Sequence, residues 1–378
     1  GTGCGCSRPP SRPDSTMHTL TGSSAPSLPP GFSYQSDRLT IEGIALDTLA
    51  TQYGTPLFIY SRAAMLDALA AYQRGLQGRE HLICYAMKAN SNLAILQTLV
   101  QAGCGLDLVS GGELERALAV GVEPTRIIFS GVGKTCAEMR RALEAGIGCF
   151  NVESNAELDV LDAVAQSMGL RAPVSVRVNP NVDARTHPYI STGLKDNKFG
   201  IAHENVLATY RHAASCAGLR VVGIDCHIGS QITDIDPYLN ALDRMLDLVS
   251  AIEAAGVPLE HLDLGGGLGI PYARSNEAPP LPMDYGALIA RTLGHLGCEI
   301  EIEPGRLISG NAGLLVAGVI YVKNGEGRDF LILDAAMNDL VRPSMYGAHH
   351  DIVPVAESPV AAPTQEFDVV GPVCETGD

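Results

Sequence analysis

Hydrophobic and polar residues follow two different periods along the middle of the chain. From residue 82 to residue 305, short apolar runs alternate with segments whose apolar residues recur at helical spacing, such as Leu93, Leu96 and Leu99. We predict eight strands in this region: Leu82 to Lys88, Leu106 to Ser110, Arg126 to Ser130, Cys149 to Glu153, Val174 to Asn179, Val221 to His227, His261 to Leu264 and Glu299 to Glu303. Eight alternations of strand and helix favour an α/β fold of the (β/α)8 TIM-barrel type, with an open doubly wound sheet as the alternative.

The two ends of the chain follow other patterns. After residue 312 the pattern is one of strands without helices, at Leu314 to Lys323, Asp329 to Leu333 and Glu366 to Val373, which predicts a C-terminal all-β domain. Upstream, a helix is predicted from Ile44 to Gly54. We therefore expect a disordered leader at 1–16, rich in Gly, Ser, Pro and Arg, a segment at 17–54 that packs on the β domain, a barrel at 55–311 and the β domain at 312–378.

Charge and composition narrow the functional class. The 378-residue chain carries a net charge of -16, which argues against nucleic-acid or anionic-membrane partners and favours a small-molecule ligand. No apolar run is long enough to span a bilayer, and we expect a cytoplasmic protein. The ten cysteines include no CxxC pair and no His/Cys cluster at metal-ligand spacing, so reduced thiols and no metal are expected.

Polar residues fall at the carboxyl ends of the predicted strands, which is the face where barrel enzymes build their sites. These residues are Lys88, Asp107, Ser110, Glu153, Asn179, His227, the run Gly265 to Gly267, and Glu303. A lysine amine can form an imine with a carbonyl cofactor, and a distant carboxylate can keep a pyridinium nitrogen protonated. The pairing of Lys88 with Glu303 therefore points to pyridoxal phosphate.

The glycine run after the predicted strand at 261–264 lacks the spacing of a dinucleotide site. It suits a phosphate cradle in which several backbone N–H groups converge on one anion, and the alternative is an ordinary turn. His227 could stack on a planar ring, and Ser230 could donate a hydrogen bond to phosphate.

The region after the barrel holds a second group of candidates. Arg342 could clamp a carboxylate, with Tyr346 adding a hydroxyl. The tandem His349 and His350 suggest a metal only weakly, because no third ligand is evident. Cys374 and Glu375 could supply an acid and an amine-binding group, or could belong to an ordinary β-turn.

Taken in order, these motifs resemble the diaminopimelate decarboxylases, which are alanine-racemase-like, barrel-type pyridoxal phosphate enzymes. The resemblance runs from about residue 40 to the last residue. It is carried by Tyr85-Ala-Met-Lys-Ala-Asn90, Asp107-Leu-Val-Ser-Gly-Gly-Glu113, His187-Pro-Tyr-Ile-Ser-Thr-Gly193, Lys198-Phe-Gly200, His227-Ile-Gly-Ser-Gln231, Gly265-Gly-Gly267, Glu303-Pro-Gly-Arg306, Met337-Asn-Asp-Leu-Val-Arg-Pro343 and Cys374-Glu-Thr-Gly-Asp378.

The resemblance implies a role for each matching residue. Lys88 would hold the cofactor, Glu303 would keep its ring nitrogen protonated, His227 would stack on the ring, and Asp107 would belong to the same cofactor site. The phosphate would be surrounded by Ser230, Gly265, Gly266, Gly267, Gly305 and Arg306. The far end of the substrate would meet Arg306, Arg342, Tyr346 and Glu375, while Cys374 would protonate the substrate carbon after carbon dioxide leaves. The resemblance also implies a homodimer with shared active sites.

The sequence departs from this family pattern at its end. Diaminopimelate decarboxylases continue beyond this point with further β-strands and a tyrosine that touches phosphate and substrate. If 378 residues are the whole product, we expect an exposed sheet edge and reduced activity. Decarboxylation of meso-2,6-diaminopimelate to L-lysine is the leading expectation. The alternatives are a decarboxylase for ornithine or arginine and a catalytically impaired or regulatory homologue.

Overall fold

The computed structural model describes residues 28–182, 198–272, 279–357 and 365–378. The predicted leader at 1–16 and the motif at 187–193 lie outside these ranges. The described chain divides into two compact units. The larger unit holds the described residues of 28–32 and 60–314, and the smaller unit holds the described residues of 33–59 and 315–378.

Eight parallel strands of the larger unit close into a barrel, which confirms the predicted fold class. In chain order they are β5 (His81–Ala86), β6 (Gly105–Leu108), β7 (Ile127–Phe129), β8 (Cys149–Val152), β9 (Ala172–Asn179), β11 (Leu219–Asp225), β12 (His261–Asp263) and β13 (Glu299–Ile302). Each strand pairs with the next, and β13 pairs back to β5, so the sheet has no free edge among these strands. The open-sheet alternative is therefore excluded. The two-residue strand β10 (Ile201–Ala202) adds in parallel to the end of β9.

Helices of the larger unit follow the strands. They are α2 (Arg62–Gly75), α3 (Leu93–Gln101), α4 (Gly111–Ala119), α5 (Cys136–Ala145), α6 (Asn155–Ser167), α7 (Val206–Ser215), α8 (Asp236–Ala254), α9 (Pro282–Thr292) and α10 (Arg306–Ser309). Among the described residues, no helix combines the length and apolarity needed to cross a bilayer.

Three consecutive helices begin with the same cap, which shows how local sequence shapes the carboxyl-end loops. Ser110, Thr135 and Ser154 each precede a helix and accept a hydrogen bond from the backbone N–H of a glutamate three residues later. Such a cap stabilises a helix by about 1 kcal/mol. Because these caps lie between a strand end and a helix start, they also set the shape of the loops that carry polar residues.

The main apolar core of the larger unit lies between the strands and the surrounding helices. The rings of Phe129 and Phe150, on neighbouring strands, stack with centroids 6.1 Å apart. With Leu106, they belong to one buried apolar cluster that includes side chains of the helices. Because side chains alternate along a strand, Asp107 and Asn151, which neighbour these residues, point to the opposite face, into the barrel.

The smaller unit contains its own sheets. Its elements are β1 (Phe32–Gln35), β2 (Arg38–Ile41), β3 (Ile44–Ala45), α1 (Leu46–Tyr53), β15 (Val319–Lys323), β16 (Phe330–Leu333), α11 (Arg342–Tyr346) and β17 (Asp368–Val370). Strands β15 and β16 are antiparallel, and β17 is parallel to β16. Strands β4 (Leu57–Tyr60) and β14 (Gly313–Val316), where the chain passes between the units, pair with each other.

The single predicted strand from Leu314 to Lys323 is wrong, because the structure divides it into β14 and β15. The interruption contains Gly318, whose N–H donates to the side chain of Asp334 at 2.8 Å. A side-chain acceptor has taken the place of a strand partner at this position.

Candidate active site

Lys88 lies just beyond the strand in which it was predicted. Strand β5 ends at Ala86, and a short 3-10 turn, Met87–Ala89, carries the lysine. Its side chain is 54% exposed, and Nζ lies 3.8 Å from Oδ2 of Asp107. The turn therefore places an accessible amine at the carboxyl end of the barrel, beside a buried carboxylate.

Asp107 is the third residue of β6 and is completely buried. Within the described part of the chain, neither of its carboxylate oxygens accepts a hydrogen bond. Burial raises the pKa of this carboxyl group, and the positive charge of Lys88 is the first influence that opposes the rise. The charges of Arg177 and Lys134 oppose the rise more weakly. A buried carboxylate is costly to the fold, which is typical of a functional site.

Three further carboxylates meet inside the barrel. Asp225 and Asp263 end β11 and β12, Glu303 follows β13, and one oxygen of each lies within 4.8 Å of one oxygen of the other two. Burial first, and repulsion by neighbouring carboxylates second, raises the pKa of Asp225 and Glu303 well above the ordinary range. Burial likewise raises the pKa of Asp263 to about 6. Three carboxylates this close together disfavour one another's ionisation, and a nearby positive charge would favour it.

Sequence reasoning found Glu303 but missed the other two as site residues. The signal was present, because Asp225 and Asp263 both lie near the carboxyl ends of predicted strands. Two neutral donors were also missed, since Ser130 and Asn151 both donate to Oε1 of Glu303 at 3.3 Å.

A buried ion pair borders this cluster. Arg177 on β9 donates to Oε1 of Glu153 at 2.8 Å, and its Nε lies 3.9 Å from Oδ2 of Asp225. Glu153 accepts a second bond from the backbone N–H of Gly200 at 2.7 Å. The predicted site residue Glu153 is thus occupied in holding Arg177, and Arg177 supplies the positive charge nearest to Asp225.

His227 is oriented by the glycine run. Its Nδ1 accepts a hydrogen bond from the N–H of Gly266 at 3.1 Å. Burial first, then the charges of Lys88 and Arg177, lowers the pKa of His227 well below its usual range. The imidazole is therefore neutral at physiological pH, with its proton on Nε2.

The glycine run differs from a simple phosphate cradle. The N–H of Gly265 donates to Oδ1 of Asp263 at 2.8 Å, so two of the three N–H groups are engaged by side chains of the barrel. Gly265 also has a φ of +63°, and a Cβ there would lie 2.6 Å from Nδ1 of His227. Glycine is required here by close approach, and the contribution of this run to a phosphate site stays a prediction.

Arg306 is the cation that the structure places with the predicted phosphate residues. Its Nε and Nη2 donate to Oγ of Ser230 at 3.1 and 3.0 Å. Its Nη1 donates to the hydroxyl of Tyr272, a residue that sequence reasoning did not single out. Gly305 lies close to β5, since a Cβ there would be 3.1 Å from Cβ of Ala86.

The remaining predicted residues belong to the smaller unit and lie near one another within it. Arg342 and Tyr346 form the two ends of α11, and the guanidinium lies 5.4 Å from the centre of the tyrosine ring. Cys374 and Glu375 lie in the exposed segment that follows β17. Ser344, which belongs to α11, donates to the carbonyl of Gly377 in that segment at 2.8 Å. The structure thus links the segment of Cys374 to the helix of Arg342.

The tandem histidines have separate surroundings. His349 pairs with Asp351 at 2.7 Å, while burial and the nearby charge of Arg342 lower the pKa of His350 to about 4. Among the described residues, the one group of metal-ligating side chains with suitable spacing is Asp225, Asp263 and Glu303. The histidines are not part of it.

The residues at the carboxyl end of the barrel fit pyridoxal phosphate. The accessible amine of Lys88 suits an aldehyde, and the buried carboxylates, including Asp107 with its unbonded oxygens, suit a cationic pyridinium ring. The guanidinium of Arg306 and the hydroxyl of Ser230 suit a phosphate. Fold and site together define a barrel enzyme of the pyridoxal phosphate class.

Comparisons with known proteins agree. Residues 62–310 match the family of pyridoxal-dependent decarboxylases, pyridoxal binding domain. A diaminopimelate decarboxylase of Pseudomonas aeruginosa is 52% identical over 92% of this chain and 83% of its own length. A Helicobacter pylori diaminopimelate decarboxylase complexed with L-lysine has a TM-score of 0.81 at 42% identity, covering 88% of this chain and 82% of that one. The M. jannaschii enzyme in co-complex with L-lysine has a TM-score of 0.87 at 36% identity, covering 92% and 82%.

The chain belongs to the pyridoxal-dependent decarboxylases and, within them, to the diaminopimelate decarboxylase family.

Proposed function

We propose that the protein decarboxylates meso-2,6-diaminopimelate to L-lysine and carbon dioxide. The observation that carries this proposal is the convergence of Lys88, Asp107 and the Glu303 cluster at one end of the barrel. It occurs in a chain that is 52% identical to a diaminopimelate decarboxylase.

Each barrel residue has a task that its surroundings support. Pyridoxal phosphate, when bound, supplies an electron-poor ring that accepts the electron pair released as carbon dioxide leaves. The amine of Lys88 would hold the cofactor through its aldehyde group, and Glu303 would keep a proton on the ring nitrogen. His227 is neutral and offers a flat, uncharged face to the ring. Arg306 and Ser230, which already bond each other, bind phosphate oxygens.

The substrate's far end is itself an amino acid and needs partners of both charges. Arg306, Arg342 and Tyr346 donate to its carboxylate, and Glu375 accepts from its amine. The thiol of Cys374 gives its proton to the carbon that has lost carbon dioxide. Exposure of Cys374 within its unit is consistent with a group that must reach a substrate.

The working assembly is a homodimer in which the segment of Cys374 and Glu375 serves the neighbouring subunit's pocket. The support is an exposed apolar strand in the smaller unit, since Val319, Ile320, Tyr321 and Val322 on β15 are 46–68% exposed. Strands of this kind are normally covered by a partner. The described cysteines are all free thiols, which supports a cytoplasmic location.

Borohydride reduction of the cofactor-loaded protein followed by peptide mapping tests the cofactor site. Lys88 is expected to carry the label. Lys134 is an internal control, because its side chain is 0% exposed and bonded to three acceptors. Label on another lysine, or no uptake of cofactor, would refute the proposal.

A substrate panel tests the reaction. Carbon dioxide release is expected from meso-diaminopimelate and not from ornithine or arginine at equal concentration. Faster release from ornithine or arginine would instead assign the protein to those substrates. Light scattering of the purified protein, compared with a Tyr321→Lys variant, tests the dimer, since a charge at a buried apolar interface should lower the measured mass.

A further inference from the structure

We propose that Ser130 and Asn151 are positioning residues that hold Glu303 in its ionised form, and so determine whether the pyridine nitrogen of the cofactor is protonated. This inference rests on the proposed function, because it concerns how the cofactor's ring is kept electron-poor. Neither residue belongs to the motifs that carry the family resemblance.

The two residues form a directed hydrogen-bond network with Glu303. Asn151 on β8 donates through Nδ2 to Oε1 of Glu303 and to Oγ of Ser130, both at 3.3 Å. The same Nδ2 also lies 3.5 Å from Oδ2 of Asp263, a longer contact. The hydroxyl of Ser130 lies 3.3 Å from the same Oε1 atom and can donate its hydrogen to it. Two neutral donors thus converge on one oxygen of the carboxylate.

The surroundings make such donors necessary. Repulsion by Asp107, Asp263 and Asp225 opposes ionisation of Glu303, and only Lys88 among its principal charged neighbours favours it. Arg177 is engaged by Glu153 at 2.8 Å and lies nearest Asp225. A neutral carboxylic acid cannot hold a pyridinium proton by charge attraction. Hydrogen bonds to the charged form favour it, so the two donors offset part of the burial and repulsion.

A buried lysine fixes the donors in place. Nζ of Lys134 donates at 2.7 Å to the carbonyls of Gly131 and Asn151 and to Oε1 of Glu157. Gly131 directly follows Ser130, so one ammonium group ties together the two strand ends that carry the donors. Ser130 and Asn151 are 6% and 1% exposed, which excludes competing water.

The chain offers a matched control for a loss of packing. Ser175 on β9 is also a buried barrel serine, but among the described residues its hydroxyl has no hydrogen-bond partner. Ser130→Ala and Ser175→Ala therefore remove the same atom from the same kind of environment. Only the first removes a donor to Glu303.

The experiment loads the 378-residue protein with pyridoxal phosphate labelled with ¹⁵N in its ring and records the ¹⁵N shift of the ring nitrogen. Wild type and Ser175→Ala are expected to give the shift of a protonated nitrogen. Ser130→Ala and Asn151→Ser should move it toward the unprotonated position. Their cofactor Kd should rise about tenfold, the size expected for losing a hydrogen bond to a charged group. Ser130→Thr keeps the hydroxyl and should restore both values.

Three outcomes would overturn the inference: an unchanged ring-nitrogen shift in folded Ser130→Ala and Asn151→Ser, an equal change in Ser175→Ala, or failure of Ser130→Thr to restore cofactor binding lost in Ser130→Ala. Asn151→Ser is chosen because it leaves a small polar side chain, and circular dichroism reports whether each variant is folded. If the wild type itself takes up no cofactor, the proposed function fails, which is a separate result.

Discussion

The ammonium group of Lys88 lies 3.8 Å from Oδ2 of Asp107, although the lysine is half exposed and the aspartate is fully buried. Lys88 follows strand β5, and Asp107 is on strand β6. These two strands pair in parallel, with Ala86 opposite Asp107. Strand register therefore sets the distance. The charge of Lys88 is the largest single influence that favours the ionised form of this buried carboxylate.

Removal of Lys88 should destabilise the cofactor-free protein through Asp107. Without the lysine, the already raised pKa of Asp107 should rise further, so the loss should be larger at pH 8 than at pH 5. Because the lysine is half exposed, we expect Lys88→Met to lower the free energy of unfolding by up to about 1 kcal/mol at pH 8. Urea unfolding at the two pH values measures it.

The double variant provides the control for this pair. If the effect passes through Asp107, Lys88→Met should cost nothing further in an Asp107→Asn background. Equal losses in both backgrounds would mean that the lysine stabilises the fold in some other way.

Gly265 should tolerate no side chain, because of a specific contact. Gly265 and Gly256 both have positive φ, at +63° and +86°, but a Cβ meets His227 only at Gly265 and open space at Gly256. Gly256→Ala should cost about 1 kcal/mol from the backbone alone. Gly265→Ala should cost about 1–3 kcal/mol more and weaken cofactor binding. Denaturant unfolding and cofactor titration measure the two effects, and equal losses in the two variants would contradict the contact.

Asp263 should make the cofactor-free protein less stable as pH rises. Its pKa in the folded state is about 6 against an ordinary value of 3.8, so the folded state binds the proton more tightly. The resulting stability is fully present below the unfolded pKa and is lost as pH rises through about 6. Between the two pKa values, the free energy of unfolding falls by at most about 3 kcal/mol, since the pKa is raised by about two units.

Asp263→Asn removes this titration and keeps an oxygen that can accept from the N–H of Gly265. We expect the variant to be more stable than wild type at pH 8 and little changed at pH 4, as measured by thermal unfolding of cofactor-free protein. Asp243→Asn, on the exposed face of α8, is the control. A parallel pH profile in wild type and Asp263→Asn would show that the carboxyl group is not responsible.

Lys134 should matter to stability more than other lysines of the described chain. Replacement by methionine would leave Glu157, which is only 9% exposed, without its cation and two carbonyls without a donor. Breaking a buried pair from one side costs about 3–5 kcal/mol. Arg211→Met, at an exposed position of α7 in the same unit, should change the free energy of unfolding by less than about 0.5 kcal/mol. Similar urea midpoints for the two variants would disprove this role.

Much of the barrel was predictable because its signal is local. Each predicted strand has an observed counterpart, and the helix predicted from Ile44 to Gly54 is observed at Leu46–Tyr53. The errors are at element ends and in the smaller unit. The region around Arg342, where only strands and no helix were predicted, contains the five-residue helix α11, and β17 is shorter than its predicted span. Such details depend on partners distant in sequence, such as Gly377 for Ser344.

The sequence alone predicted the fold class, the location of the site at the carboxyl ends of the strands, and Lys88, His227 and Glu303 as candidates, while the family resemblance added Arg306. Hydrophobic periodicity and short motifs are properties of neighbouring residues, and they survive without knowledge of the fold. Which polar groups lie close enough to interact electrostatically depends on the tertiary structure. Barrel closure brings Ser130, Asn151 and Asp263, which lie far from Glu303 along the chain, into hydrogen-bond or ionic reach of it. Electrostatic energy depends on distance and burial in three dimensions, and neither can be read from spacing along the chain.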